Sequence, residues 1–270
     1  MNSHLHCMRM LIWWACLPLF AIAQNDWGEL MQPSNVLQHK TIQSSPFIHH
    51  NSFGGLAFTD SSAIGISIEN KYLIASLSKL NLSTQFKTDN GGIGMHLNAM
   101  ANEIFSGLSI GTAYGIRLSK SIGIGLGGRV KRDQFRGFAP LFILSPQLGL
   151  LYFFSKKGSI SINWKKLIKP NPPSVYKEFG LVSSCLNFQI AEQVQMGLEI
   201  ENDFRGSSNL NLYAEWRPAH QIECYLYYRT NSAEIQSGIL YRLKRLNIGM
   251  GIAKHPYLGS SGFIMLYHVL

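Results

Sequence analysis

Charged residues are scarce in this chain of 270 residues, at 14% of the total, while 46% of residues are hydrophobic. So low a charge is unusual for a cytosolic globular protein. No apolar run reaches the roughly 20 residues that a transmembrane helix needs. No segment keeps a helical period over a long stretch either. These absences argue against a helical membrane protein and against an ordinary soluble helical domain.

The longest apolar run, from Met10 to Ala23, follows Arg9 and ends in Ala21-Ile22-Ala23. A basic start, a short apolar core and an Ala-x-Ala site predict a secretory signal peptide over residues 1–23, cleaved before Gln24. An amino-terminal helix packed into a core is the alternative.

Cysteine and clustered basic residues are also rare. Only Cys185 and Cys224 lie beyond the predicted cleavage site. Export permits a disulfide, but two lone cysteines are no framework, and two buried thiols remain an alternative. The net charge is +9, yet no Lys/Arg block or aromatic-basic motif indicates nucleic acid. We therefore expect no nucleic-acid partner, and we expect either a basic lumen or basic rims that face anionic lipid head groups.

Alternation with a period of two is what the chain has instead. Between Leu108 and Lys131, most even positions carry Leu, Ile, Tyr or Val, and most odd positions carry Gly, Ser, Ala, Arg or Lys. A period of two places the two sets on opposite faces of a strand. One face is apolar and the other is small or charged, which is the pattern of a barrel with an apolar outside.

The same alternation returns along the rest of the chain, at residues 64–69, 93–98, 159–164, 194–201, 209–216, 222–229, 246–252 and 262–270. Leu144–Phe154 forms a nearly continuous apolar run. Counting weaker candidates near Tyr72, Phe86, Leu181 and Ile239 gives about fourteen strands. The sequence thus predicts an all-β fold, a transmembrane antiparallel β-barrel of about 14 strands in a bacterial outer membrane. A soluble β-sandwich or lectin-like secreted domain is the rival, and it would need polar outer faces.

Residues 24–50 show neither period, so we expect an irregular segment that is either a plug in the lumen or a periplasmic tail. Residues 51–270 are assigned to the barrel. His39, His49 and His50 lack a Cys or carboxylate partner at ligand spacing. We therefore predict no metal site and no cofactor.

Residues 51–57 resemble the Asn-Pro-Ala-Gly-Leu-Ala signature near the first strand of FadL-like outer-membrane barrels. The closest likeness is to the PorV/PorQ-type family of Bacteroidota, which is associated with type IX secretion. The match is carried by Asn51, Gly54, Gly55, Leu56 and Ala57, whereas positions 52 and 53 depart from the signature. The resemblance implies a non-enzymatic secretion-accessory or surface scaffold protein. Its expected partners are outer-membrane lipid and secretion-system or surface proteins. The wider family implies the alternative, transport of a small hydrophobic molecule across the outer membrane.

No catalytic residues are predicted. The chain has no Gly-x-Ser-x-Gly motif, and no His and Ser share alternate positions of one strand. The inward-facing charges are the remaining candidates for a site. One prediction is that the basic group Arg117, Arg129 and Lys131 pairs across the lumen with Glu199, Glu201 and Glu215 and partly occludes it. The alternative is that these charges line a polar path. The candidates are Arg117, Arg129, Lys131, Glu199, Glu201, Glu215 and Arg229.

The assignment of faces predicts the outcome of two substitutions in the central hairpin. Ile124 lies on the apolar face, so Ile124→Arg should block membrane insertion. Gly125 lies on the inner face, so Gly125→Ser should be tolerated.

Overall fold

Fourteen antiparallel strands form a closed barrel in the computed structural model, which describes residues 45–47, 52–168, 179–203 and 207–270. The strands are β1 (Ala63–Asn70), β2 (Ser78–Thr88), β3 (Gly91–Ala101), β4 (Phe105–Arg117), β5 (Ile122–Phe135), β6 (Leu141–Ser155), β7 (Gly158–Leu167), β8 (Phe179–Ala191), β9 (Val194–Asp203), β10 (Ser208–Ala219), β11 (Ile222–Arg229), β12 (Glu234–Leu243), β13 (Leu246–His255) and β14 (Gly259–Val269). The predicted fold class and strand number are confirmed.

Pairing between the first and last strands closes the barrel. Strand β1 pairs with β14 from Ala63 opposite Val269 to Asn70 opposite Gly262, and every other strand pairs with its neighbours in sequence. Closure leaves no strand edge with unpaired backbone groups, which is a requirement in lipid.

The outer face of the wall is apolar. Ile110, Leu126 and Val130 of the central hairpin are 54%, 56% and 51% exposed, while Gly111 and Gly125 between them are buried on the inside. The same division of faces holds along every strand whose side chains are described in full. Such a wide apolar surface is unfavourable in water but is solvated by lipid. The chain is therefore an outer-membrane barrel, as predicted, and the soluble sandwich is excluded.

Three of the four weaker strand candidates are correct, since Phe86, Leu181 and Ile239 lie in β2, β8 and β12. The fourth is wrong. Tyr72 lies in the connection between β1 and β2, which forms two short 3₁₀ turns, Lys71–Leu73 and Ala75–Leu77. In the ranges that the structure describes, no helix has the length and apolar character to cross a membrane.

The two ends of the barrel differ in the length of their connections. At the end that holds Ala63 and Val269, the links β2–β3, β6–β7 and β8–β9 are two residues each. At the other end, the β1–β2 link has seven residues and the β5–β6 link has five. Outer-membrane barrels have short periplasmic turns and longer extracellular loops. The end with both termini of the barrel is therefore periplasmic.

Candidate functional site

A segment of chain before β1 lies inside the barrel and forms what we call the plug. Its described residues are Ser45–Phe47 and Ser52–Phe58, and all of them are buried. Gly54–Phe58 form a 3₁₀ helix. Ser52 begins it, because the Gly55 amide donates to both the Ser52 hydroxyl, at 3.2 Å, and the Ser52 carbonyl, at 3.1 Å. Residues 1–44 and 48–51 lie outside the described part of the chain. The predicted signal peptide and most of the segment 24–50 are among them.

Glycines on the inner faces of β4, β5 and β6 receive the plug, and we call Gly115, Gly123, Gly125 and Gly149 the glycine cradle. A methyl group on Gly125 would lie 2.1 Å from the Phe53 carbonyl oxygen. One on Gly115 would lie 2.5 Å from the Ala57 nitrogen. Atoms cannot approach so closely, so the backbone of the plug occupies the space that side chains would fill. The expectation that Gly125→Ser is tolerated is therefore wrong.

The plug also reaches the opposite wall. Phe53 and Leu56 belong to a buried cluster that runs from β4 to β8, β10 and β11, which we call the cross-lumen cluster. Its wall residues are Ala113, Cys185, Tyr213 and Tyr227. Because one short segment contacts both sides, the plug bridges the lumen.

A second set of contacts holds the start of the plug against β11–β14 and β2. Phe47 packs edge-on against Tyr267, with the ring centroids 6.4 Å apart. The Ser83 hydroxyl donates to the Pro46 carbonyl at 2.6 Å. We call the surrounding group the Phe47 cluster, and its wall residues are Tyr225, Leu240, Ala253, Phe263, Met265 and Tyr267.

The end of the 3₁₀ helix forms a third cluster, in which Ala57 and Phe58 pack against Leu151. Phe58 meets Phe153 edge-on at 4.9 Å. The Arg117 guanidinium lies 5.0 Å from the centre of the Phe58 ring, and its Nε donates to the Ala57 carbonyl at 3.2 Å. Each of the three buried apolar clusters among the described residues thus contains plug residues.

Charged side chains line the periplasmic mouth of the lumen. Glu215 and Glu223 are almost fully buried and both face Arg217, while Glu223 also pairs with Arg242. Beside these side chains lies a cavity of about 820 Å³, which is lined mainly by charged and amide residues and opens between the β6–β7, β8–β9 and β10–β11 turns. The mouth is therefore a charged vestibule, open to water.

The predicted inward charges occupy different positions in the lumen. Arg117 lies at the periplasmic edge against the plug, and Arg129 is buried. Lys131 pairs with Asp133, two residues along its own strand, at 2.8 Å. We predicted that the basic group on β4–β5 pairs with Glu199, Glu201 and Glu215. For Arg129 and Glu199 this stays a prediction.

The acidic candidates have partners on nearby strands. Glu199 accepts a hydrogen bond from Asn211 at 3.2 Å, and Glu201 lies 3.5 Å from Arg229. Glu215 is held by Arg217, two residues along the same strand. The described contacts of these three therefore follow the wall, along one strand or to a strand one or two positions away.

The residues of the sequence signature lie where the lumen is closed. Gly54, Gly55, Leu56 and Ala57 all belong to the plug, and Asn51 lies outside the described residues. The sequence pattern predicted that the glycines of the cradle face inward, but it did not predict that the plug packs against them. The arginines of the vestibule were missed, although their parity places them inward. Cys185 and Cys224 are free thiols and form no disulfide.

Comparison with solved structures shows the fold. The toluene transporter TbuX of Ralstonia pickettii superposes with a TM-score of 0.64 and 8% identity, over 84% of this chain and 94% of that one. The toluene transporter TodX of Pseudomonas putida gives 0.63 and 8%, over 84% and 94%. A FadL homologue of Pseudomonas aeruginosa gives 0.59 and 8%, over 90% and 97%. No family model and no curated protein matches the sequence. The chain therefore has a FadL-like fold.

Proposed function

We propose that this protein lets a small hydrophobic molecule cross the outer membrane through the lumen when the plug moves. One observation carries the proposal. Every buried apolar cluster described in the lumen is completed by plug residues. Without the plug, the inner wall of the barrel would expose Tyr213 and Tyr227 in one region of the lumen. It would expose Phe263, Met265 and Tyr267 in another. An aromatic and apolar surface of this kind binds small hydrophobic molecules.

The solved structures of the same fold support this choice over a secretion-accessory role, since two of them are described as toluene transporters. Their identity of 8% to this chain leaves the ligand to be found by experiment. A monoaromatic hydrocarbon is the first probe, because the walls around the plug are rich in aromatic rings.

Locking the plug to the wall tests the proposal. The Ser83 hydroxyl lies 2.6 Å from the Pro46 carbonyl oxygen, so Pro46→Cys with Ser83→Cys brings two thiols together. The protein is produced in the outer membrane of a host without such a barrel, and uptake of radiolabelled toluene is measured. We expect uptake at the host background when the disulfide forms, and recovery after reduction.

A second disulfide controls for the crosslink itself. Asn98 and Ser109 are direct partners on β3 and β4, and neither belongs to the three described clusters that hold plug residues. Asn98→Cys with Ser109→Cys therefore staples the wall alone, and uptake should equal that of the wild type. Equal rates for the locked and reduced plug would show that the lumen does not conduct toluene.

A surface scaffold accessory to secretion is the second candidate, and the charge on the inner wall favours it. Glu199, Glu215 and Glu223 are buried in the lumen among polar partners, which suits a filled barrel. A scaffold predicts that toluene uptake never rises above the host background. It also predicts that a surface protein copurifies with the barrel through its extracellular loops.

A further inference from the structure

The periplasmic turns of the barrel carry a concentration of exposed positive charge. Lys120 lies in the β4–β5 turn, Lys156 and Lys157 form the β6–β7 turn, and Lys244 and Arg245 form the β12–β13 turn. Lys87 and Arg117 add exposed cations at strand ends, whereas the exposed acids at this end are Asp60, Asp89 and Glu192. The rim is therefore strongly basic.

These turn cations have no internal partner in the part of the chain that the structure describes. The ion pairs found there join side chains of the barrel interior. Within the described ranges, no carboxylate pairs with the five cations of the three turns. Their charge is therefore available to a group outside the protein.

The position of the cations along the barrel axis indicates what that group is. The lipid-facing Leu118, Phe154 and Leu243 are 60%, 41% and 44% exposed. Lys120 and Lys156 follow the first two by two residues, and Lys244 follows Leu243 directly. Cations one or two residues beyond the apolar surface lie at the level of the phospholipid head groups. Turns of two to four residues do not project further into the periplasm.

We propose that the periplasmic turns bind anionic phospholipid head groups of the inner leaflet, with Lys120, Lys156 and Lys157 as the centre of the site. The β4–β5 and β6–β7 turns are neighbours at this rim. Adjacent strands are about 4.8 Å apart, so the two turns are separated by roughly 10 Å. One lipid phosphate lies between them and contacts ammonium groups from both.

The test measures lipid affinity on the full chain in detergent. Native mass spectrometry follows binding of phosphatidylglycerol and of phosphatidylcholine to the wild type and to the triple variant K120Q/K156Q/K157Q. Each cation at a membrane surface strengthens binding severalfold. We expect the wild type to prefer phosphatidylglycerol by about tenfold or more, and the triple variant to lose most of that preference.

A matched control removes three exposed cations from the other end, in the variant R132Q/R136Q/K254Q, and should keep the preference. Heat-modified migration on a gel verifies that both variants are folded. The proposal fails if the rim variant binds phosphatidylglycerol like the wild type, or if both variants lose the preference equally. Binding of polyglutamate is measured in parallel. The proposal also fails if the rim variant loses affinity for polyglutamate but keeps its preference for phosphatidylglycerol, because the rim would then suit an acidic periplasmic protein.

Discussion

Glycine at the inner wall acts through the atoms that it leaves out. In the cradle, the backbone of the plug comes within contact distance of the backbone of β4, β5 and β6. The nearest approach is at Gly125, opposite the Phe53 carbonyl. A strand interior normally loses stability with glycine. Here that loss is offset because the missing side chains let a second layer of chain pack inside the barrel.

Two glycines three residues apart on β5 allow a matched test. Gly125→Ala places a methyl group against the plug, and overpacking of this kind costs about 1–3 kcal/mol. Gly128 faces outward with nothing within 4 Å of an added methyl group, so Gly128→Ala should leave stability unchanged. Thermal unfolding in detergent, with proteolysis of the amino-terminal segment, measures both. Equal melting of the two variants would mean that the plug is not seated in the cradle.

The error over Gly125 shows where sequence reasoning stops at this scale. The alternation assigned the residue to the correct face, because the pattern is local and has a period of two. What occupies the space in front of that face depends on residues more than sixty positions earlier in the chain. The signature at 51–57 marked the segment, yet nothing in its letters placed it inside the barrel.

Within the strands, charge pairs follow the ladder. Glu223 on β11 is shared between Arg217 of β10 and Arg242 of β12, so one carboxylate ties three adjacent strands together at the vestibule. The sequence predicted which charges point inward but paired them across the lumen. Parity decides the face, whereas the partner depends on register, which is set only when the strands pair.

The shared carboxylate predicts unequal effects for two similar substitutions. Glu223→Gln removes a buried carboxylate from both Arg217 and Arg242, of which only Arg217 keeps a second described one, Glu215. The substitution should lower stability by about 3 kcal/mol. Glu201→Gln breaks a single, partly exposed pair with Arg229, and should cost about 1 kcal/mol or less. Thermal unfolding of both in the same detergent compares them. A larger loss for Glu201→Gln would contradict the assignment of Glu223 as the centre of the vestibule.

The β1–β2 loop predicts a dependence on pH. Burial lowers the pKa of Lys71 to about 8, against the opposing effect of the Glu69 carboxylate and with smaller effects from Lys79 and Glu234. The unfolded chain therefore binds more protons between pH 8 and 10, so stability should rise with pH in this window. Lys71→Met should flatten the rise, while Lys254→Met at an exposed site should keep it. Melting curves from pH 7 to 10 measure the slope.

For the whole molecule, the architecture was predictable because the membrane imposes it on every strand. Lipid outside requires an apolar face such as that of Ile110 and Leu126, and unpaired backbone is not tolerated, so the sheet must close. These constraints repeat along the chain and can be read from short windows. The plug, in contrast, occurs once in the chain and leaves no repeating pattern. Only the folded barrel shows that Phe47 and Leu56 pack in different clusters of the wall.

Insertion itself provides the last prediction. Ile124 lies on the lipid-facing side of β5 and is 39% exposed. Ile124 is the third residue of β5 from its periplasmic end, so an arginine there should cost less than the roughly 2–4 kcal/mol that applies at the bilayer midplane. Ile124→Arg should still reduce the amount of folded barrel in the outer membrane. Tyr257, in the β13–β14 loop, is 90% exposed, and Tyr257→Arg introduces the same side chain where water can solvate it. Heat-modified migration of membrane fractions should show more folded protein for Tyr257→Arg than for Ile124→Arg. Equal yields would mean that this part of the wall does not face lipid, because contact with the hydrocarbon is the reason to expect a lower yield at position 124.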